Sequence, residues 1–178
     1  MKIIELDTVD STNNYAAKLL NEDNSINNTF IFAKEQTKGR GTGINSWFSE
    51  YNKNILLSFI FEPKINVENC FSITDSTSLS ICEYLQNRNV FAQIKYPNDI
   101  CYQNKKICGI LIENTILGSI VNKSIIGIGL NINQTEFPKH LINPISLKNI
   151  TNKEYNIKEE LKLLCEILVK RLVIHSKS

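Results

Sequence analysis

The sequence is poor in the residues on which several chemistries depend. It holds two histidines, His140 and His175, and neither lies in an H-E-x-x-H arrangement or beside a cysteine. A zinc centre would lack ready ligands, and no metal site is expected. The five cysteines, Cys70, Cys82, Cys101, Cys108 and Cys165, never fall as C-x-x-C. An odd set without paired spacing reads as buried free thiols. An excess of charge is absent as well, with 20 Lys and Arg against 18 Asp and Glu for a net charge of +2. That balance supplies no positive field for a nucleic-acid backbone. No apolar run approaches the ~20 residues that span a bilayer. The opening MKIIELDTVDSTNNY also lacks the basic segment and apolar stretch of a signal peptide. These absences lead to the expectation of a soluble, cytoplasmic protein that engages neither nucleic acid nor membrane.

No repeat, low-complexity block or Pro/Gly linker interrupts the chain, and its four prolines all sit between apolar segments. Residues 1–178 therefore read as one domain. Ile3-Ile4-Glu5-Leu6 reads as a strand, followed by Asp10-Ser11-Thr12-Asn13, residues that favour helix N-caps, and a helix through Tyr15-Ala16-Ala17-Lys18-Leu19-Leu20. Strands are expected at 30–33 and 54–61, with irregular chain at 36–52 between them. A core-facing helix follows at 70–85, and then strands at 92–95, 100–102, 106–113 and 124–132, with Gln103-Asn104-Lys105 turning a hairpin. Asn156, with Glu159 three residues on, opens a last helix whose apolar stripe is Leu161, Leu164, Ile167, Leu168 and Leu172. Adjacent hairpins favour an α+β fold with a mixed, mostly antiparallel central sheet flanked by helices.

Four segments could carry chemistry. In Gln36-Thr37-Lys38-Gly39-Arg40-Gly41-Thr42-Gly43 the glycines let backbone N–H groups approach a ligand, and Arg40 offers a planar fork to a carboxylate or phosphate. No Gly-Lys-Ser/Thr follows, so this is not a Walker loop, and a plain surface loop is the alternative. Trp47, just beyond it, is either a core anchor or a cover for a flat ligand. Lys95-Tyr96-Pro97-Asn98-Asp99 is either an ordinary turn or a device that sets Asp99 at a strand start facing a ligand. Lys106, entering the apolar run Ile107-Cys108-Gly109-Ile110-Leu111-Ile112-Glu113, is either a solvated strand end or a stabiliser of developing negative charge. Gly127-Ile128-Gly129-Leu130-Asn131-Ile132-Asn133 permits close approach to a strand, with Asn side chains for polar edges.

The order of these segments resembles the catalytic domain of the biotin protein ligase, or biotin–[acetyl-CoA-carboxylase] ligase, family. The match runs from Asp10-Ser11-Thr12-Asn13 through Gln36-Thr37-x-Gly39-Arg40-Gly41 and Asn45-Ser46-Trp47 to Lys95-Tyr96-Pro97-Asn98-Asp99, Lys106-Ile107-Cys108-Gly109-Ile110-Leu111 and Gly127-Ile128-Gly129-Leu130-Asn131. The resemblance implies the fold shared with class II aminoacyl-tRNA synthetases and a two-step reaction. Biotin's carboxylate is joined to AMP from ATP with Mg²⁺, and the biotinyl group then passes to a lysine of a biotin carboxyl carrier domain.

By the same resemblance, Ser11, Thr12, Asn13, Gln36, Gly39, Gly41, Thr42 and Gly109 belong to the biotin site, with Ser11, Thr12 and Gln36 on its ureido end. Arg40 faces the carboxylate and the α-phosphate, and Lys106, rather than Lys105, is the second charge stabiliser. Asp99 assists the incoming carrier lysine, while Trp47, Asn98 and Asn131 serve the nucleotide side. Family members often carry more arginines where this chain reads Thr42-Gly43-Ile44-Asn45, which implies a less firmly held adenylate and labelling of non-cognate lysines. Rival readings are a lipoate or octanoate ligase or acyltransferase of the same fold family, with Cys108 as a thioester nucleophile, and a non-catalytic biotin-binding protein. With the first motif beginning at Asp10, the chain is expected to lack both the N-terminal DNA-binding domain and the C-terminal β-barrel-like module of other family members. A homodimer through paired sheet edges is a further expectation.

Overall fold

A computed structural model describes residues 2–174. His175 lies outside the described residues. Seven strands run in the spatial order β1-β2-β3-β8-β7-β6-β5, and β4 pairs separately with β8. They are β1 (Lys2–Val9), β2 (Thr29–Gln36), β3 (Ile55–Phe61), β4 (Ile65–Asn66), β5 (Gln93–Lys95), β6 (Asp99–Tyr102), β7 (Lys105–Leu117) and β8 (Ile120–Leu130). Only β1 and β2 pair in parallel, and the helix α1 (Thr12–Glu22) makes the crossover that a parallel pair requires. Every other pairing between these strands is antiparallel. The mostly antiparallel α+β architecture expected from the hairpins is therefore the one observed.

Alternation along the strands sorts side chains onto two faces. Phe30 and Phe32 of β2, Ile55, Leu57, Phe59 and Phe61 of β3, and Ile126, Ile128 and Leu130 of β8 enter the main core. Phe30 and Phe59 stack there with ring centroids 4.1 Å apart. Helices α2 (Phe71–Gln86) and α4 (Ile157–Val169) cover this face with Ile73, Ile81, Leu85, Leu161, Leu164 and Leu168. The two helices are tied by the Tyr84 hydroxyl, which donates to Glu160 at 2.5 Å, and by Arg88, 2.8 Å from the same carboxylate. Burial and the Glu160 carboxylate push the Tyr84 phenol well above its ordinary pKa. The opposite face carries only a small cluster, Ile31, Ile60 and Ile125 against Ala16 of α1. Beyond α1 this face is open, and the site lies there.

The differences from expectation have local causes. Strands β7 and β8 run on past 113 and begin before 124 because the ladder continues through Asn114↔Ser124 and Thr115↔Lys123. The Ser124 hydroxyl donates to Asn114 Oδ1 at 2.6 Å, so polar side chains satisfy one another where the apolar pattern stops. Strand β4 and the short helix α3 (Leu147–Thr151) are too brief to show a period. Asn156 caps α4 by accepting from the Lys158 and Glu159 amides. Leu172 is buried as expected, but in a π-turn (Lys170–Ile174) that follows the helix. Of the cysteines, Cys101, Cys108 and Cys165 are buried, whereas Cys70 and Cys82 are only half-buried.

Candidate functional site

A cavity of about 550 Å³ opens on the α1 face, above the strands β7 and β8. Its floor is made by residues that offer almost no side chain. Gly109 of β7 lies opposite Gly129 of β8, and Leu111 lies opposite Gly127. A Cβ on Gly127 would stand 2.5 Å from Asn13 Oδ1, and one on Gly129 would stand 2.4 Å from Trp47 Cε2. These glycines allow α1 and the Trp47 indole to settle directly on the sheet.

At one end stands the start of α1. Ser11 occupies the N-cap in extended conformation, yet its side chain makes no capping bond and is 2% exposed. The hydroxyl is thereby left to the cavity. Gln36, the last residue of β2, accepts from the Thr12 amide at 2.8 Å and the Thr12 hydroxyl at 3.0 Å. Ser58 of β3 contacts Thr12 Oγ1 at 2.8 Å and donates to Asn13 Oδ1 at 2.5 Å. The Asn13 amide in turn donates to Glu113 at 2.8 Å. A connected set of polar groups, neutral apart from the Glu113 carboxylate behind Asn13, suits a polar ligand edge, since a buried ligand donor or acceptor needs partners.

The segment expected to be irregular doubles back on itself. Trp47 N donates to Gly39 O at 2.9 Å, Gly41 N to Asn45 O at 2.8 Å, and Arg40 bridges Ser46. Gly43 turns the tip with φ +65. Gly39 serves this reversal, because a Cβ there would meet Trp47 O at 2.3 Å. It is the one expected site residue that does not line the cavity. Arg40 does line it, with NH2 2.5 Å from Glu113. Thr42 accepts from the Asn98 amide at 2.6 Å, which fastens the loop to the hairpin of β5 and β6.

At the other end Lys106 reaches in from β7, its ammonium 2.7 Å from Asp99 and 5.6 Å from the Trp47 ring centroid. Lys105 does not line the cavity. Asp99 begins β6, as anticipated. Asn131 Nδ2 donates to Ile145 O at 3.0 Å, while its Oδ1 is buried without a hydrogen-bond partner among the described residues. Trp47 Nε1 is likewise unpartnered. Cys108 is fully buried in the main core and does not line the cavity, and burial raises its thiol pKa far above the ordinary value. The thioester nucleophile of the rival acyltransferase reading is therefore out of reach of the site.

A sequence profile of the biotin/lipoate A/B protein ligase family matches residues 5–131, which span every strand of this site. The chain belongs to that family. Biotin/lipoate ligase relatives include the bifunctional ligase/repressor BirA of Bacillus spizizenii, 33% identical over 142 residues that make up 78% of this chain and 43% of that protein. The human biotin–protein ligase is 30% identical over 156 residues, covering 80% of this chain and 20% of that protein. The chain thus spans less than half the length of these curated relatives. Among solved structures, the Aquifex aeolicus biotin protein ligase in complex with biotin and ATP superposes with a TM-score of 0.83 at 30% identity, over 99% of this chain and 72% of that one.

Motif reading did not single out the cavity wall at 137–144, including His140 and Ile142, nor Ser58 and Glu113, which stand behind the lining and hold Asn13. Ser58 left a signal, a hydroxyl inside the apolar run Ile55-Leu56-Leu57-Ser58-Phe59-Ile60-Phe61. Glu113 ends an apolar strand and could be read as a solvated terminus. The wall has no pattern, and it is held by backbone bonds of Lys106 N to Asn143 O at 2.7 Å and Ile145 N to Lys106 O at 3.0 Å.

Proposed function

We propose that this chain adenylates biotin with ATP and transfers the biotinyl group to a lysine of a biotin carboxyl carrier domain. The observation that carries the reading is that Arg40 and Lys106, from separate elements, line one cavity together with the neutral polar set Ser11, Thr12 and Gln36. A neutral bicyclic head with a carboxylate tail, approached by a triphosphate, fits that distribution. Two anions must meet, and fixed cations stabilise the charge that builds at their junction.

In the first step a biotin carboxylate oxygen bonds to the α-phosphorus, and pyrophosphate departs with the electron pair of the broken P–O bond. Arg40 and Lys106 hold the carboxyl and phosphoryl oxygens. The Gly41 and Thr42 backbone faces the same anions, and Ser11, Thr12, Asn13 and Gln36 orient the ureido ring. In the second step a neutral lysine amine bonds to the acyl carbon, AMP leaves, and Asp99 takes the released proton. Trp47 and the loop from 39 to 47 exclude water from the mixed anhydride. Asn98 and Asn131 serve the nucleotide.

Mg²⁺ fits this site as a companion of the nucleotide. No group of three or more His, Cys, Asp and Glu is placed to hold a metal among the described residues. An ion that keeps its waters and rides on phosphates needs one or two protein oxygens, which the unpartnered Asn131 Oδ1 and the side chain of Asn98 would supply. The carrier or a second copy would dock along β7 beyond Gly109, where β6 no longer pairs with it. No helix among the described residues is long and apolar enough to cross a membrane.

The test is mass spectrometry of the protein with ATP, Mg²⁺ and, in separate mixtures, biotin, lipoate and octanoate. Biotinyl-AMP from the first mixture alone is expected. Adenylate only from lipoate or octanoate would move the assignment within the family, and none from any would end it.

A further inference from the structure

Glu113 is the one carboxylate in the cavity region that touches both halves of the site. It projects from β7 on the same face as Gly109 and Leu111, four and two residues before it. Its Oε2 accepts from Asn13 Nδ2 at 2.8 Å and from Arg40 NH2 at 2.5 Å. Asn13 is 3% exposed and locked by Ser58 and by the Leu111 carbonyl, so the carboxylate has a fixed support on that side. Toward Arg40 the arrangement differs. The Arg40 and Glu113 side chains are 40% and 38% exposed, and only one guanidinium nitrogen is engaged. An exposed, monodentate ion pair is weak and is readily exchanged for another anion.

We infer that Glu113 is a positioning residue that holds Arg40 at the cavity by standing in for the ligand carboxylate, and that it competes with that carboxylate for the guanidinium. The inference rests on the proposed function, since it takes biotin as the anion that displaces it. It follows from chemistry already described. A flexible cation with no partner samples many rotamers, and ordering it costs side-chain entropy when the ligand arrives. A carboxylate fixed by Asn13 pre-sets the guanidinium beside the polar end, while the exposure of the pair keeps the exchange easy.

The competition has a signature that a merely structural residue would not produce. Removing the negative charge while keeping the Asn13 acceptor should favour an anionic ligand over a neutral one of the same shape. Glu113→Gln does this, and the ligand pair is biotin against its alcohol analogue, which lacks the carboxylate. The expected result is a biotin-to-alcohol affinity ratio that rises about two- to fivefold, the range set by an exposed ion pair. Glu113→Ala, which also strips the acceptor from Asn13, should weaken both ligands together. Glu113→Asp withdraws the carboxylate by one methylene and should move the ratio in the same direction as Gln, so the proposal stays open to refutation if the Gln variant does not fold. An unchanged or lowered ratio in a folded variant would overturn the inference while leaving the ligase assignment intact. Wild-type protein that binds neither ligand would overturn both, at the level of the assignment.

Discussion

Placing a methyl group on the cavity floor tests the link between the glycines and Trp47 most directly. In Gly129→Ala the new Cβ would lie 2.4 Å from Trp47 Cε2 and 2.7 Å from Cδ2 and Nε1. These are ring atoms, with no flexible end that could yield. The backbone itself accepts alanine, since the glycines at positive φ are Gly43 and Gly118. Reduced freedom of the unfolded chain then favours the variant by about 0.4–1 kcal/mol. Overpacking opposes it by about 1–3 kcal/mol. The net expectation is a loss of about 1–2 kcal/mol if the indole stays, or its eviction from the floor if it leaves. For a chain of this size the first outcome lowers Tm by about 2–8 °C. The second is visible because Trp47 is the single tryptophan. Its emission would shift to longer wavelength and become accessible to acrylamide. Gly118→Ala is the control, for it strains a hairpin tip with no atom within 4 Å and should leave the emission unchanged. Unaltered Tm together with unaltered emission in Gly129→Ala would refute the reasoning.

Other outcomes follow from individual side chains. Lys106→Ala should cut the rate of biotinyl-AMP formation by about 10²–10³, the scale of losing one transition-state charge donor, whereas Lys105→Ala should stay near wild type in the same pyrophosphate-release assay. Cys108→Ala should retain turnover, because its buried thiol has no access to the cavity; loss of turnover in a folded Cys108→Ala would restore the thioester route. Lys123 is buried and paired with Glu62, which holds the Glu62 carboxyl below the usual range. That stabilisation is present above the unfolded Glu pKa of about 4.3 and disappears as pH falls through the lowered folded value. Acid unfolding of Glu62→Gln should accordingly be shallower below about pH 4, and curves that superpose would remove the pair from the account. With Thr42-Gly43-Ile44-Asn45 in place of further cations, a bystander protein should be biotinylated even without carrier, and strictly carrier-dependent labelling would contradict it.

How much of this was readable beforehand depends on the range of the signal. The strands at 30–33 and 54–61, the helix at 70–85 and the Gln103-Asn104 turn carry their own periodicity or turn chemistry, and both turn residues do adopt positive φ. The motif segments named most of the cavity lining because each is a short contiguous string, while the wall at 137–144 lay outside them. What escaped acts at a distance in sequence. Ser58 and Glu113 matter through Asn13, which lies on another element, and nothing local distinguishes them from an incidental hydroxyl and a strand-end carboxylate. Helix α3 begins at Ser146, whose partner is Asn149 rather than the Glu or Gln of the usual capping box, and it spans too few residues to repeat. The placement of Trp47 on bare glycines was equally hidden, since only the register Gly109↔Gly129 brings the two together.

The bond from Asn13 to Glu113 joins residues 100 positions apart. A ribosome making this chain releases the N-terminal end of the site long before the strand that must receive it. Until β7 and β8 emerge, Asn13, Thr12 and Gln36 have no floor, and β3 has no neighbour on its outer edge. Pairing across such separations is slow, because the loop must close before its contacts can form. The nascent protein therefore leaves the outer edge of the apolar strand β3 unpaired from the synthesis of Phe61 until β8 begins at Ile120. That interval of open edge is the counterpart of a strand order that lets one cavity draw on residues from Ser11 to Pro144.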